Sequence, residues 1–415
     1  MSQTSIKLVH PTREINGTVQ LTGSKSESNR ALIIQALSEG KVKINNLSHA
    51  DDTVLLTNAL KVAHTPLEGI KTIDIGPAGT AMRFLTSYLN LLPGGFVLTG
   101  TPRMQQRPIG ILVESLNEIG ANIQYAKETG YPPLQIQGPI NQSNAIVKIK
   151  GDISSQYVSS LLLIASALQE GLNLSIDGEL TSKPYVTMTL DMLKEVGIKH
   201  TWTESNIHIA PQKAIESTLY IEPDWSAASY WYAMVALSEK GAIRLPGLKK
   251  NSLQGDIAIA EIMQHFGVKT TFEANGIYIE KTDATTDKEC FDFKSCPDLA
   301  QTVVVVASAL RRNVSFTGLE TLKIKETDRI AALQTEIAKY GAILSADGNT
   351  YHLYSEHVND PGEIAIATYE DHRMAMAFAP LALVFKKIQI LEPQVVEKSY
   401  PTFWEDLREQ GFSTT

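Results

Sequence analysis

The sequence predicts an α/β (α+β) protein of two domains, each built from three related units with helices buried inside and sheets outside. Three observations carry this reading: a length of 415 residues, a sixfold recurrence of one helix–strand–helix pattern, and the apolar character of the first helix in each copy. A chain of 415 residues exceeds one ordinary core and suits two or three domains of about 100–200 residues. In each copy a helix of small and apolar residues is followed by a turn and a strand-like run. The helix and strand pairs are 31–37 with 41–44, 81–89 with 96–99 and 158–168 with 172–176 in the first half. In the second half they are 228–237 with 242–245, 300–310 with 314–317 and 374–383 with 388–391.

Behind each strand a second, amphipathic helix is expected, stopped by a glycine in five of six copies. These glycines are Gly120, Gly197, Gly267, Gly341 and Gly411, and their separations of 77, 70, 74 and 70 residues match a sixth of the chain. The first copy, whose second helix lies around 55–62, lacks a clear glycine stop. A period of about 70 is long for a solenoid, whose repeats run about 20–45 residues, so three units per domain is the economical grouping. Runs such as Leu161-Leu162-Leu163-Ile164-Ala165 are apolar on every face, which places the first helices inside. The midpoint falls at Ile221-Glu222-Pro223-Asp224-Trp225, where Pro223 suits a hinge.

Composition narrows the function. With 43% hydrophobic and 20% charged residues the chain is not disordered as a whole. Lys and Arg total 37 against 45 Asp and Glu, and the net charge of −8 argues against nucleic acid or an anionic membrane as partner. Cys290 and Cys296 stand in neither zinc nor thioredoxin spacing, and a reducing compartment is the simpler inference. The polar stretch 1–14 has no apolar core of a signal peptide, and the longest apolar run, 375–385, is far short of the ~18 residues a membrane span needs. A soluble, cytoplasmic protein is expected.

Each buried helix is preceded by a polar or glycine-containing segment: Gly23-Ser24-Lys25-Ser26-Glu27-Ser28-Asn29-Arg30, Gly76-Pro77-Ala78-Gly79-Thr80, and Gly151-Asp152-Ile153-Ser154-Ser155-Gln156. The second half offers Pro223-Asp224-Trp225-Ser226, Cys296-Pro297-Asp298 and Tyr369-Glu370-Asp371-His372-Arg373. Helix N-termini present free N–H groups and the positive dipole end, so several together would hold anions; simple N-capping is the plainer reading of any one. Capping does not explain Lys25, Arg30, Arg83 and Arg373, because the dipole disfavours cations near helix starts. Arg107, Lys325, Arg329 and Lys398 recur in similar polar settings, though each alone could be a solvated surface charge. A P-loop is excluded by spacing, since position 18 is threonine and Lys25 is two residues after Gly23. No dinucleotide fingerprint or metal-ligand pair is found.

Taken together, Gly-Ser-Lys-Ser-x-Ser-Asn-Arg at 23–30, Ala-Gly-Thr-Ala-Met-Arg at 78–83, Arg-Met-x-x-Arg-Pro-Ile at 103–109, Ser-Ser-Gln at 154–156, Ser-Lys-Pro-Tyr at 182–185, Lys-Glu-Thr-Asp-Arg at 325–329 and Asp-His-Arg-Met-Ala-Met at 371–376 resemble the 5-enolpyruvylshikimate 3-phosphate synthase family, in order and across the whole chain. The resemblance implies two inside-out α/β barrel domains of three repeats each, with the active site in the interdomain cleft. It divides the chain into a domain of 22–224 and one of 225–415 joined by 1–21, with hinges near 21 and 223. It also implies transfer of the enolpyruvyl group of phosphoenolpyruvate to the 5-hydroxyl of shikimate 3-phosphate, in aromatic amino acid biosynthesis. A tetrahedral ketal forms on the way, and no cofactor or metal is needed. The expected partners are these two small molecules, and the expected state is a monomer.

Carried over by position, the resemblance assigns Lys25, Gly79, Arg107, Gln156, Arg329, Arg373 and Lys398 to phosphoenolpyruvate, and Ser26, Arg30, Ser154, Ser155, Ser182, Tyr185, Asp298 and Lys325 to shikimate 3-phosphate. Seven of these are cations, a sensible number for four anionic groups. Asp298 matches the base for the 5-hydroxyl and Glu326 the acid for the methylene carbon, with Lys25 and Lys398 assisting. The chain departs from the family's pattern at Pro77, Phe84 and Thr321, the first and last replacing common asparagines. The alternatives are a UDP-N-acetylglucosamine enolpyruvyl transferase, whose loop cysteine is missing near 103–107, and a non-catalytic anion-binding scaffold.

Overall fold

The six small-residue stretches fold as helices within a few residues of their expected positions. The structure, a computed structural model, describes residues 5–66 and 69–415. The first four residues of the polar N-terminal stretch lie outside the described residues. The chain divides into two units, one of Gly23–Ile221 and one of Met1–Thr22 with Glu222–Thr415.

In the unit Gly23–Ile221 the helices are α1 (Lys25–Leu37), α2 (Asp51–His64), α3 (Gly79–Tyr88), α4 (Gly110–Glu118), α5 (Ser155–Ala165) and α6 (Lys183–Glu195). The first helices of the three copies, α1, α3 and α5, pack on one another. Nine of ten residues of α3 and ten of eleven of α5 are buried. A hydroxyl pair, Ser87 Oγ to Ser160 Oγ at 2.6 Å, lies inside this helical core, where a polar group requires such a partner.

The second unit carries α7 (Trp225–Leu237), α8 (Ile259–Ile262), α9 (Ala300–Ala309), α10 (Arg329–Ala338), α11 (His372–Phe378) and α12 (Phe403–Glu409). Here α7, α9 and α11 form the core, and every residue of α9 and α11 is buried. The second helix of the fourth copy shrinks to the single turn α8 between 3-10 segments, where β-branched Ile257, Ile259 and Ile262 disfavour a longer α-helix.

Sheets cover these cores in one recurring pattern. In three copies the strand after the buried helix takes a parallel neighbour from the segment before that helix and an antiparallel hairpin from the segment after it. Thus Gly94–Thr99 lies between Lys71–Asp74 and Leu134–Gly138, Leu172–Asp177 between Ile146–Lys150 and Asn206–Ile209, and Val314–Thr317 between Cys290–Asp292 and Thr350–Tyr354. Val42–Asn45, in contrast, has one neighbour among the described residues, the parallel Ser217–Tyr220. The copy with Lys387–Leu391 departs from this: its antiparallel neighbour is the N-terminal strand Ser5–Val9, with Ser5 opposite Leu391. Glu14–Thr18 then supplies the parallel neighbour of Lys240–Pro246. These pairings tie the N-terminal strands to the unit of Glu222–Thr415.

Four of the buried helices begin earlier than their apolar runs, because their polar flanks form first turns under side-chain caps. Ser24 accepts from the Glu27 N–H, Ser154 from Gln156, Asp224 from Ala227 and Asp371 from Arg373. Two helices end sooner and continue as 3-10 turns, Leu89–Leu91 and Ala379–Leu383; in the second, Pro380 lacks the N–H an α-helix requires. The five expected stop glycines all have positive φ, from 79° at Gly267 to 105° at Gly120.

Candidate functional site

The first unit gathers its expected residues at the starts of α1, α3, α5 and α6. Lys25, in the first turn of α1, places Nζ 3.1 Å from Oδ2 of Asp52, a buried carboxylate near the start of α2. Next to α3, the Arg107 guanidinium packs directly against Gly79: a Cβ there would lie 2.6 Å from Arg107 Nη1 and would push the end of that side chain aside. Gln156 donates to Thr80 Oγ1 at 3.2 Å, joining the start of α5 to that of α3. Arg83 answers the unfavourable helix dipole with carbonyls, donating to Gly79 at 3.1 Å and Pro108 at 3.2 Å, and so pins the turn after Arg107.

Arg30 is buried between α1, α5 and α6. It donates to Thr189 Oγ1, Ser159 Oγ and the carbonyls of Ser26 and Tyr185 at 2.7–3.2 Å, with its guanidinium 5.4 Å from the Phe84 ring centre. Burial pushes its pKa down to about 10. These contacts make Arg30 an organiser of the Ser26 and Tyr185 backbones. Ser182, at the start of α6, has φ 52° and makes no cap hydrogen bond, although a serine in the left-handed region is costly.

In the second unit the expected residues form one connected network. Asp298, in the turn leading into α9, accepts from Arg329 Nη1 at 2.9 Å through Oδ1 and from Arg373 Nη2 at 2.8 Å through Oδ2, with Lys325 Nζ 3.8 Å away. Glu326 accepts from Arg329 Nη2 through Oε2 and from Lys398 Nζ through Oε1, both at 2.9 Å. Burial alone would raise the pKa of Asp298, but Arg373, Lys325 and Arg329 outweigh it and hold the carboxyl well below the usual carboxylate range. Burial works against the Arg329 charge too, but Asp371, Glu326 and Asp298 raise its pKa further.

Four acidic residues beside these groups had no role assigned from the sequence. Asp371 accepts from Arg329 Nε at 2.6 Å and from the Arg373 N–H at 2.8 Å, so one carboxylate sets a side chain and a backbone. Asp52 and Asp371 sit at helix starts, where a carboxylate reads as an ordinary complement to the dipole. Asp256 is buried against Ser226, whose hydroxyl donates to it, and burial with the nearby Asp298 charge pushes its pKa up to about 7. Glu336, on α10, is fully buried.

Two units of buried helices wrapped in four-stranded and shorter sheets make a fold shared with an EPSP synthase and an enolpyruvyl transferase of known structure. The chain is similar to the EPSP synthase of Acinetobacter baumannii, with TM-score 0.79, 21% identity and coverage of 99% of this chain and 100% of that one. It is also similar to the enolpyruvyl transferase NikO from Streptomyces tendae, with TM-score 0.75, 14% identity and coverage of 100% and 99%. Residues 9–407 match the family described as EPSP synthase (3-phosphoshikimate 1-carboxyvinyltransferase), and the chain belongs to that family. Among its relatives, the 3-phosphoshikimate 1-carboxyvinyltransferase of Bacteroides fragilis is 48% identical over 401 residues, covering 96% of each chain. That of Sulfurovum sp. is 37% identical, covering 96% of this chain and 97% of the relative.

Proposed function

We propose that the protein is a 3-phosphoshikimate 1-carboxyvinyltransferase, joining phosphoenolpyruvate to the 5-hydroxyl of shikimate 3-phosphate with release of phosphate. The observation that carries the reading is the network of Asp298, Glu326, Arg329, Arg373 and Lys398, in a chain that belongs to the EPSP synthase family. Ionised Asp298 accepts the proton of the 5-hydroxyl as its oxygen bonds to C2 of phosphoenolpyruvate. Glu326 delivers to C3 a proton that Lys398, bonded to its Oε1, passes to it. The ketal then returns a C3 proton to Glu326 and through it to Lys398, while the C2–O bond to phosphate breaks and phosphate leaves. Lys25, Arg107, Arg329, Arg373 and Lys398 supply fixed positive charge to phosphoenolpyruvate, with Gly79 and Gln156 beside it.

Ser26, Ser154, Ser155, Ser182, Tyr185 and Lys325 hold shikimate 3-phosphate, with Arg30 fixing Ser26 and Tyr185 from behind. We take the two units as the working domains of a cytoplasmic monomer. No helix among the described residues is long and apolar enough to cross a membrane, and Cys290 and Cys296 are free thiols, which suits a reducing compartment. The test is phosphate release by purified protein given both substrates, with each omitted in turn. Release only when both are present is expected; none from folded protein would end the reading.

A further inference from the structure

We propose that Glu336 is a positioning residue for the anion-binding arginines, acting through the loop 367–371; this rests on the reading that Arg329 and Arg373 hold phosphoenolpyruvate. The Glu336 carboxylate is fully buried and serves three donors: Tyr369 OH at 2.7 Å through Oε1, and the Ala367 N–H at 3.1 Å and Lys339 Nζ at 2.5 Å through Oε2. Lys339, capping the C-terminal end of α10, supplies the countercharge that a buried carboxylate requires and also donates to the Ala365 carbonyl at 2.8 Å.

Arg329 and Glu336 are seven residues apart on α10, two turns on one face, or about 10 Å along the axis. The loop is therefore fastened to α10 at both ends: Ala367 and Tyr369 to Glu336, and Asp371 to Arg329 Nε at 2.6 Å. Tyr369, at the first fastening, and Glu370, between it and Asp371, adopt φ of 54° and 56°, a left-handed pair without glycine that persists only where surrounding contacts hold it. A third fastening, from Thr368 Oγ1 to Glu392 Oε2 at 3.4 Å, reaches the residue preceding the 3-10 turn Pro393–Lys398, whose last residue is Lys398. Asp371 leaves this loop to cap α11 and orient Arg329, so loss of the Glu336 clamp releases the strained pair and moves both arginines.

The test compares Glu336→Ala, Glu336→Gln and Tyr369→Phe with the wild type, measuring KM for each substrate, kcat and the melting temperature. The clamp predicts that Glu336→Ala raises KM for phosphoenolpyruvate by ~10-fold or more, as ångström-scale misplacement does. KM for shikimate 3-phosphate should stay within ~2-fold, a split expected when one ligand's contacts are disturbed. Glu336→Gln, which keeps an acceptor for Tyr369, should recover part of the loss, and Tyr369→Phe should show a smaller shift of the same kind. Variants that melt earlier but keep both KM values unchanged overturn the proposal, as do equal losses for both substrates. If Glu336→Ala does not fold, the other two variants decide on the same criteria. Absence of phosphate release by the wild type would instead remove the functional reading on which the clamp rests.

Discussion

The Asp298 carboxylate illustrates how one residue's surroundings set its chemistry. Two arginines and a lysine keep it ionised, which makes it always ready to accept a proton and a weak base until substrate changes its surroundings. Asp298→Ala and Glu326→Gln should each lower kcat by at least ~100-fold, the scale of general acid–base catalysis. Steady-state rates near wild type in either variant would remove that residue from the proposed proton transfers. A finer probe is Gly79→Ala. The added methyl would stand 2.6 Å from Arg107 Nη1 and has to displace that guanidinium, whose backbone is followed by the Pro108 carbonyl held by Arg83. We expect KM for phosphoenolpyruvate to rise ~10-fold or more, by analogy with other small misplacements of a clamp, while shikimate 3-phosphate binding changes little. Equal changes for both ligands would place Gly79 and Arg107 elsewhere in the chemistry.

Among the elements, α10 is the most heavily used, carrying Arg329, Glu336 and the contacts that hold Asp371. Its stop is Gly341, with φ 95° and the His357 carbonyl oxygen 2.3 Å from where a Cβ would stand. Gly341→Ala should therefore cost more than about 1 kcal/mol, read as a lower urea midpoint; an unchanged midpoint would mean the turn re-forms freely. That stop was legible in the sequence, because a glycine after an amphipathic run is a local signal. So was the strand Val314–Thr317, which falls where the apolar run after the buried helix places it. The pairing of Ser5–Val9 with Lys387–Leu391 was not legible from periodicity, since nothing local in either strand encodes a partner nearly the whole chain away. Arg329 could be named from the Lys-Glu-Thr-Asp-Arg motif, whereas Glu336 could not. Its partners Ala367 and Tyr369 come together only through the fold, and in sequence it reads as one more charge on an amphipathic helix.

Across the whole molecule, a net charge of −8 coexists with buried acids that resist ionisation, and this sets how stability should respond to pH. In Glu222, Asp256 and Asp406, all in the unit of Glu222–Thr415, burial raises the carboxyl pKa, to about 7 for Asp256 from an ordinary 3.8. A carboxyl whose folded pKa exceeds its unfolded value binds more protons when folded. Its contribution to stability therefore falls as pH rises from about 4 to about 7 and is lost above that. Asp298 has the opposite sign: its stabilisation is present above pH 3.8 and disappears as the pH falls through its depressed native value. The charged and polar groups facing Asp256 are Asp298, Arg373, Asp224, the Ser226 hydroxyl and the Cys296 thiol. Arg373 alone among them favours the ionised form by charge, and the Ser226 hydroxyl assists it by hydrogen bonding. Thermal melts between pH 5 and pH 8 should show the advantage of Asp256→Asn over the wild type growing with pH, because asparagine cannot ionise. An advantage that is constant across this range would mean that Asp256 titrates outside it.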